Sequence, residues 1–144
     1  MPIQQGATNA FKTGLATASF NFVSDTFRIA LYTGAADLGP LTASYTTLNE
    51  MIGTGYTAGG QILTVSVAPT MGSNPANTTM YLSFSNVTWS PAAFTCRGAL
   101  IYKFNGVTNP AVCVLDFGSD KTCSSTFTIQ FPTASSIAAI LRIA

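Results

Sequence analysis

The sequence contains no histidine and few charged residues of either sign. Six Lys/Arg and five Asp/Glu give a net charge of +1, and charged residues make up 8% of the 144 positions. Ordinary soluble domains carry about 25% charged residues. So few cations cannot form a basic surface for phosphate backbones, and we do not expect nucleic acid as a partner. Without histidine, a Ser-His-Asp triad, a Cys-His dyad and histidine-based metal sites are excluded.

Cysteines and long apolar runs are also scarce. The three cysteines (Cys96, Cys113 and Cys123) are too few for a four-cysteine zinc site, and no histidine could activate one of them as a nucleophile. An odd number of cysteines without a signal-peptide pattern predicts reduced thiols in a cytosol-like compartment, so we expect no disulfide. The apolar runs fall far short of the roughly 20 residues of a membrane-spanning helix, and we expect no membrane partner.

The length fits one domain, because domains most often hold about 100–150 residues. We therefore expect a single domain over residues 1–144, with residues 1–22 as a helical N-terminal segment. Apolar residues from Ala7 to Ala18 fall at the spacing of one helix face and include Phe11 and Leu15. This pattern predicts one short helix that ends before Ser19 and plugs one end of the core.

Beyond the helical segment, apolar residues recur with a period of two, which is typical of half-buried strands. Turn-rich stretches separate the predicted strands, and no long helical pattern intervenes. We therefore predict an all-β fold, an antiparallel sandwich of jelly-roll-like or immunoglobulin-like topology. A long loop with one helical turn near its end is expected over residues 33–50. The predicted strands cover residues 26–32, 62–68, 81–89, 97–104, 111–117, 126–131 and 138–143.

Two turn signals punctuate the second half of the chain. Asn105-Gly106 predicts a hairpin turn, because both residue types tolerate positive φ. If that hairpin forms, Cys113 faces the middle of the preceding strand and not Cys96. Residues 118–121 predict a second turn, which places Asp120 in a hairpin connection.

The candidate chemical motifs each have a simpler structural interpretation. Residues 53–60 contain a G-x-G-x-x-A match, but a strand is predicted after it where a dinucleotide site needs a helix. Asp116 and Asp120 flank Gly118, yet their spacing lacks the density of a calcium loop. A glycosidase would need two of the five carboxylates in one cleft. We expect no catalytic constellation, no cofactor and no metal.

Four apolar or aromatic residues are candidates for an interface with a partner: Phe11, Leu15, Tyr56 and Trp89. Trp89 stands at the end of a predicted strand, where a lone aromatic residue is more often part of the core. If the protein instead recognised a carbohydrate, Tyr56 or Trp89 should be exposed on one surface.

Several segments, in order along the chain, resemble a family of small virion proteins of tailed bacteriophages. The resemblance runs from about Asp25 to the C-terminus. The matching pieces are residues 24–33 (SDTFRIALYT), 49–50 (NE), 53–60 (GTGYTAGG), 97–102 (RGALIY), 114–118 (VLDFG), 120–121 (DK) and 131–134 (FPTA).

This resemblance implies a non-enzymatic structural protein of the phage particle, assembled in the cytoplasm of the bacterial host. Decoration or cement proteins on the outer face of the head are the most similar members. By analogy with them we expect a homo-oligomer, a trimer, that binds the major capsid protein or another virion protein. A binding module in the tail, neck or head appendage that recognises a host glycan is the alternative. The few charges agree with a surface buried in an assembly, because uncharged polar groups cost less to desolvate than ions.

Overall fold

The strands of the computed structural model, which describes residues 2–72 and 78–144, form three antiparallel sheets. The largest has the order β1-β8-β7-β2-β3, the second β10-β5-β4, and the third pairs β6 with β9. The fold is thus all-β and sandwich-like with one short helix, as predicted. The elements are β1 (Gly6–Ala7), α1 (Asn9–Ala16), β2 (Phe27–Tyr32), β3 (Gln61–Leu63), β4 (Val65–Met71), β5 (Met80–Phe84), β6 (Val87–Trp89), β7 (Phe94–Lys103), β8 (Ala111–Cys123), β9 (Phe127–Ile129) and β10 (Leu141–Ile143).

The five-stranded sheet is buried on both faces at its centre. In β2, Phe27, Ile29 and Leu31 point into the larger core, which also contains Leu82 and Trp89 from the smaller sheets. On the opposite face, Ala30 and Tyr32 of β2 and two residues of β7 belong to a second apolar cluster. Since successive side chains of a strand point to opposite faces, a strand covered on both sides is apolar throughout.

The second cluster is covered by the N-terminal residues and by the loop of residues 33–50. Ile3, Ala36 and Leu38 are buried there, and the backbone N–H of Gln4 donates to the carbonyl oxygen of Leu38 at 2.8 Å. The long loop is thus a second layer of the core. Its predicted helical turn is a single tight turn, in which the N–H of Glu50 bonds the carbonyl of Thr47 at 3.2 Å.

The helix is shorter than the apolar pattern predicts, because the first residue of that pattern belongs to a strand. Gly6–Ala7 forms β1 on the edge of the large sheet, and α1 begins only after Thr8, whose side chain accepts from the N–H of Phe11. The predicted helical segment of residues 1–22 therefore contains a strand as well as α1. A β-carbon on Gly14 would overlap the Phe20 ring, so this glycine allows the ring to pack against the helix.

Two predicted strands are each divided in the structure. The run of residues 62–68 becomes β3 in the large sheet and β4 in the three-stranded sheet, and the run of residues 81–89 becomes β5 and β6 in different sheets. The chain changes sheet at both points, which are linked by a bond from the N–H of Ser85 to the carbonyl of Thr64 at 2.8 Å. Strands that switch sheets at bends form the corners of sandwich folds.

The predicted turn at residues 118–121 is wrong, because β8 continues through it to Cys123. Pairing with β7 resumes at Lys121, opposite Cys96, so that four residues of β8 oppose the single residue Arg97. Gly118 has a φ of +79° in this bulge. Positive φ is a feature of bulges as well as of turns, and the sequence alone does not distinguish them. Asp120 therefore lies within a strand and not in a hairpin connection.

The Asn105-Gly106 signal does mark the connection of β7 to β8, as predicted, although the loop is longer than a two-residue turn. The side-chain oxygen of Asn105 accepts backbone N–H bonds from Val107, Thr108 and Asn109 at 2.9 to 3.0 Å. Cys113 pairs with Ile101, and all three cysteines are free. The expected absence of a Cys96–Cys113 bridge thus follows from the register.

Candidate functional site

A buried carboxylate, which the sequence does not single out, lies at the centre of a group of tyrosines. Glu50 is 6% exposed and pairs with Tyr32 through an isolated bridge beside β2. Its Oε1 accepts from the Tyr56 hydroxyl and from the N–H of Gly59, both at 2.7 Å, and its Oε2 accepts from the Tyr45 hydroxyl at 2.6 Å. Three donors thus satisfy the charge, as a buried ion requires.

Two further tyrosines complete this group, which we call the Glu50 cluster (Glu50, Tyr32, Tyr45, Tyr56 and Tyr102). The Tyr102 hydroxyl donates to the carbonyl of Gly59 at 2.7 Å, and the Tyr45 and Tyr102 rings stack with their centroids 4.7 Å apart. The Tyr32 hydroxyl donates to the carbonyl of Thr46 at 2.6 Å. The bonds fasten both ends of the loop that runs from Glu50 to the start of β3.

Burial raises the pKa of the tyrosines in the Glu50 cluster. Desolvation is the largest cause of the raised pKa of Tyr56, and the hydrogen bond to the Glu50 carboxylate adds to it. The pKa of Tyr32 is raised in the same way, by burial first and then by the negative charge of Glu50. The phenols therefore act as hydrogen-bond donors that hold the loop in place.

The glycine-rich stretch of residues 53–60 belongs to this loop and shows no nucleotide-site geometry. It leads directly into β3, as predicted, so no helix N-terminus follows it. The reason for the glycines is steric, because a β-carbon on Gly60 would overlap the Ile29 carbonyl oxygen, and one on Gly55 would overlap that of Pro91. Gly55 and Gly60 also have φ of +83° and +72°. They allow the loop to pack directly on the neighbouring backbone.

The four predicted interface residues occupy different environments. Phe11 and Trp89 are 4% and 2% exposed, so their side chains belong to the core of this chain. Tyr56 packs on Trp89, with ring centroids 6.2 Å apart, and its hydroxyl bonds Glu50. Of the four side chains, that of Leu15 is the most accessible, at 37% exposed. An aromatic platform for sugars therefore cannot be formed by Trp89.

The carboxylates that could have served in catalysis or metal binding have partners within the fold. Asp116 accepts from the N–H of Gly118 at 2.9 Å and forms an ion pair with Arg97 at 3.5 Å. Asp25 lies in the turn before β2 and forms an ion pair with Lys103 at 3.0 Å. Burial raises the pKa of the Cys96 and Cys113 thiols to about 12.

A metal-ligand cluster and a membrane-spanning helix are both absent from the residues that the structure describes. Within residues 2–72 and 78–144, no group of three or more acidic or cysteine side chains could hold a metal ion. No helix in the same ranges has the length and apolar character needed to cross a membrane.

An apolar groove opens beside α1 and encloses about 610 Å³. It lies between the helix, the segment before β2 and the edge of the three-stranded sheet. Phe11 and Leu15, two of the predicted interface residues, are in its wall. Its apolar lining consists of Ala7, Phe11, Leu15, Phe20, Phe22, Val23, Pro69, Met80, Leu82, Leu141 and Ile143.

Two loops that pair with each other carry exposed apolar side chains. The N–H of Ala111 bonds the carbonyl of Ala43 at 3.0 Å, and the N–H of Tyr45 bonds that of Asn109 at 2.9 Å. These loops and the residues that follow Glu50 expose four large apolar side chains by 72% to 89%, which we together call the loop surface: Leu41, Leu48, Ile52 and Val107. Leu41 and Val107 lie in the paired loops, whereas Ile52 lies near the opposite end of β7, because Thr54 bridges Ala93.

No family model, no curated protein and no solved structure matches this chain. The resemblance to tailed-phage virion proteins therefore depends on the ordered sequence segments between residues 24 and 134.

Proposed function

We propose that this chain is a non-enzymatic structural protein of a tailed-bacteriophage particle, which binds the outside of the head as a decoration protein and stabilises it. The observation that carries the proposal is the loop surface. Its four side chains are 72% to 89% exposed in a chain with only 8% charged residues. The cores of interfaces are depleted in charged residues, and exposed apolar side chains are favourable to cover when proteins assemble.

The exposed polar groups of the strands also suit burial in an assembly. Thr88 and Thr128 bond each other through their hydroxyls at 2.9 Å across β6 and β9, and Thr95 and Thr122 do so at 2.8 Å across β7 and β8. These hydroxyls already have partners within the chain. Covering them with another protein costs less than covering unpaired ions, because their hydrogen bonds are retained.

A homo-oligomer, a trimer by analogy with other decoration proteins, is part of the proposal. Light scattering coupled to size-exclusion chromatography measures its mass directly. An oligomer of defined size is expected. A monomer that also fails to bind capsids would contradict the proposal.

The position in the particle is tested by electron microscopy. Phage particles from the source that encodes the chain are purified on a density gradient and labelled with a gold-conjugated antibody against the protein. Label on the heads is expected. If purified particles lack the chain, the proposed function is wrong, and if the label is confined to the tail or neck, the decoration role is replaced by the appendage role.

The role of the loop surface is tested with two charged variants. Ile52→Asp and Val107→Asp place a carboxylate on exposed positions of the loop surface, and Thr133→Asp adds the same charge at an exposed position after β9. The first two variants should lose binding to undecorated capsids in a co-sedimentation assay, because a buried unpaired charge opposes association. Thr133→Asp should bind as the unmodified chain does. Equal binding by all three variants would exclude the loop surface as the contact.

A further inference from the structure

The apolar groove beside α1 reaches an unpaired strand edge. β10 is the last strand of the three-stranded sheet, and within residues 2–72 and 78–144 it pairs only with β5, which leaves its other edge free. All three of its residues, Leu141–Ile143, line the groove. Pro69 of β4 and Met80 and Leu82 of β5 line it as well, so the groove crosses the three-stranded sheet and reaches the edge of β10.

The opposite wall shows that the groove lies between the layers of the fold. Ala7, in the edge strand β1 of the large sheet, also lines it. Phe11, Phe22 and Leu82 extend from the groove into the main core. Side chains inserted at this point would therefore continue the core between the two sheets.

The charges on the groove have one sign. Lys12 and Arg142 line it, and no carboxylate is among its lining residues. Both cations are exposed, and neither forms an ion pair within the described ranges. A ligand that complements the groove is therefore apolar and carries negative charge.

We propose that the groove binds an extended segment of a partner protein, which pairs with the free edge of β10, inserts apolar side chains into the groove and places an acidic residue near Lys12 and Arg142. Addition of a strand to a sheet edge gives affinity through backbone hydrogen bonds and specificity through pockets for alternate side chains. The free edge, the pocket and the charges all occur here together.

A second copy of this chain fits the groove less well. Its edge strand β4 has no carboxylate, and its exposed carboxylates are Asp37 and Asp120. Asp37 has buried neighbours on both sides, and Asp120 lies between Ser119 and Lys121. Neither offers an acidic residue between exposed apolar side chains, so the charges favour a different protein.

The test begins with a display library of random twelve-residue peptides, selected on the purified chain. Enriched peptides should alternate apolar with polar residues and contain Asp or Glu. One enriched peptide, labelled with a fluorophore, is then titrated with three variants of the chain. Lys12→Glu and Arg142→Glu reverse the groove charges, and Lys121→Glu, an equally exposed position in β8, is the matched control.

Each groove variant should weaken peptide binding about fivefold, the effect of roughly 1 kcal/mol from an exposed charge pair, and the control should leave it unchanged. In nuclear magnetic resonance spectra, the backbone amides of β10 should shift and exchange more slowly when the peptide is bound. If no peptide is enriched, if all three variants bind alike, or if the shifts lie elsewhere, the inference is wrong.

Two other occupants give different results in the same experiments. If Lys12→Glu or Arg142→Glu changes the mass of the free protein from an oligomer to a monomer, a second copy occupies the groove, and the inference is overturned. The inference is also overturned if dodecanoate binds the groove and no peptide does, because the ligand is then a small amphiphile and not a protein segment. These measurements use the isolated chain and do not depend on the proposed role in the virion, which is tested on particles.

Discussion

The hydroxyl of Tyr56 donates to Glu50 Oε1 at 2.7 Å, and the same hydroxyl accepts from the N–H of Leu31 at 2.9 Å. One phenol thus connects a buried carboxylate in the long loop to the backbone of β2. The cluster holds the connection from Glu50 to β3 at both ends and at Tyr56, and Ile52, two residues after Glu50, is 89% accessible. The Glu50 cluster therefore supports one end of the loop surface on which assembly is proposed to depend.

Replacement of the buried carboxylate should destabilise the fold. Glu50→Gln retains the shape of the side chain but removes the charge that three donors stabilise. Hydrogen bonds to charged groups are the stronger ones, so the free energy of unfolding should fall by about 1–3 kcal/mol. Urea unfolding followed by circular dichroism measures this change.

The matched control for this substitution is Asp37→Asn, the same chemical change on an exposed side chain. Its effect should remain within about 0.5 kcal/mol, as for most surface substitutions. Equal losses in the two variants would show that the Glu50 cluster contributes nothing particular to stability.

Alkaline pH should unfold the protein through its buried phenols. The folded-state pKa values of Tyr32 and Tyr56 are raised above the usual value, mainly by burial. Above about pH 10, the unfolded chain releases phenolic protons that the folded chain retains, so the free energy of unfolding falls by up to about 1.4 kcal/mol per pH unit for each tyrosine. Below that pH both states are protonated, and this contribution is fully present.

Stability measured across this alkaline range, with tyrosinate absorbance recorded in parallel, checks the expectation. Tyr56→Phe should make the dependence of stability on pH less steep, because the variant lacks one of the phenols that stay protonated in the folded chain and ionise in the unfolded chain. A stability that stays flat as the pH passes about 10, the usual pKa of tyrosine, would contradict the prediction.

The three thiols should differ in reactivity. Cys96 and Cys113 are 1% and 4% exposed, and burial raises the pKa of each to about 12. Cys123 is only partly buried. Since the thiolate is the reactive form, a maleimide should modify the native protein rapidly at Cys123 alone.

Mass spectrometry of the labelled protein counts the adducts. Cys123→Ser should abolish the rapid adduct and Cys96→Ser should leave it, whereas urea should expose all of the remaining thiols. Two rapid adducts on the native chain would show that β7 or β8 is less well packed than described.

The fold class could be predicted from the sequence because it depends on local periodicity. The bounds of β2 match the prediction to within one residue, although the strand is buried on both faces and not half-buried, and the Asn105-Gly106 signal marks the connection of β7 to β8. The errors arise where a local signal has two structural meanings. The glycine at 118 indicates a turn, but pairing beyond it, between Cys96 and Lys121, keeps the chain in a strand. That pairing is fixed by distant residues and not by the turn residues themselves.

The Glu50 cluster could not be predicted for the same reason. Tyr32 and Tyr102 lie 70 residues apart and meet only because β2 pairs with β7, where Arg28 is opposite Tyr102. A carboxylate within six residues of two tyrosines, followed by two glycines, is a local pattern that a search could have noted. Which oxygen each tyrosine bonds depends on the path of the loop over the sheet.

Two glycines in different loops, one before β3 and one between β7 and β8, give the sharpest steric prediction. Gly60 has a φ of +72°, and a β-carbon there would overlap the Ile29 carbonyl oxygen; Gly106 has a φ of +75° and open space around it. Gly106→Ala should therefore cost only the left-handed backbone strain, about 1–2 kcal/mol. Gly60→Ala should cost about 1–3 kcal/mol more, because the backbone of β2 must shift. Urea unfolding of the two variants distinguishes the cost of backbone strain from the cost of steric overlap. An equal loss in the free energy of unfolding would mean that the loop does not pack on β2 at Gly60.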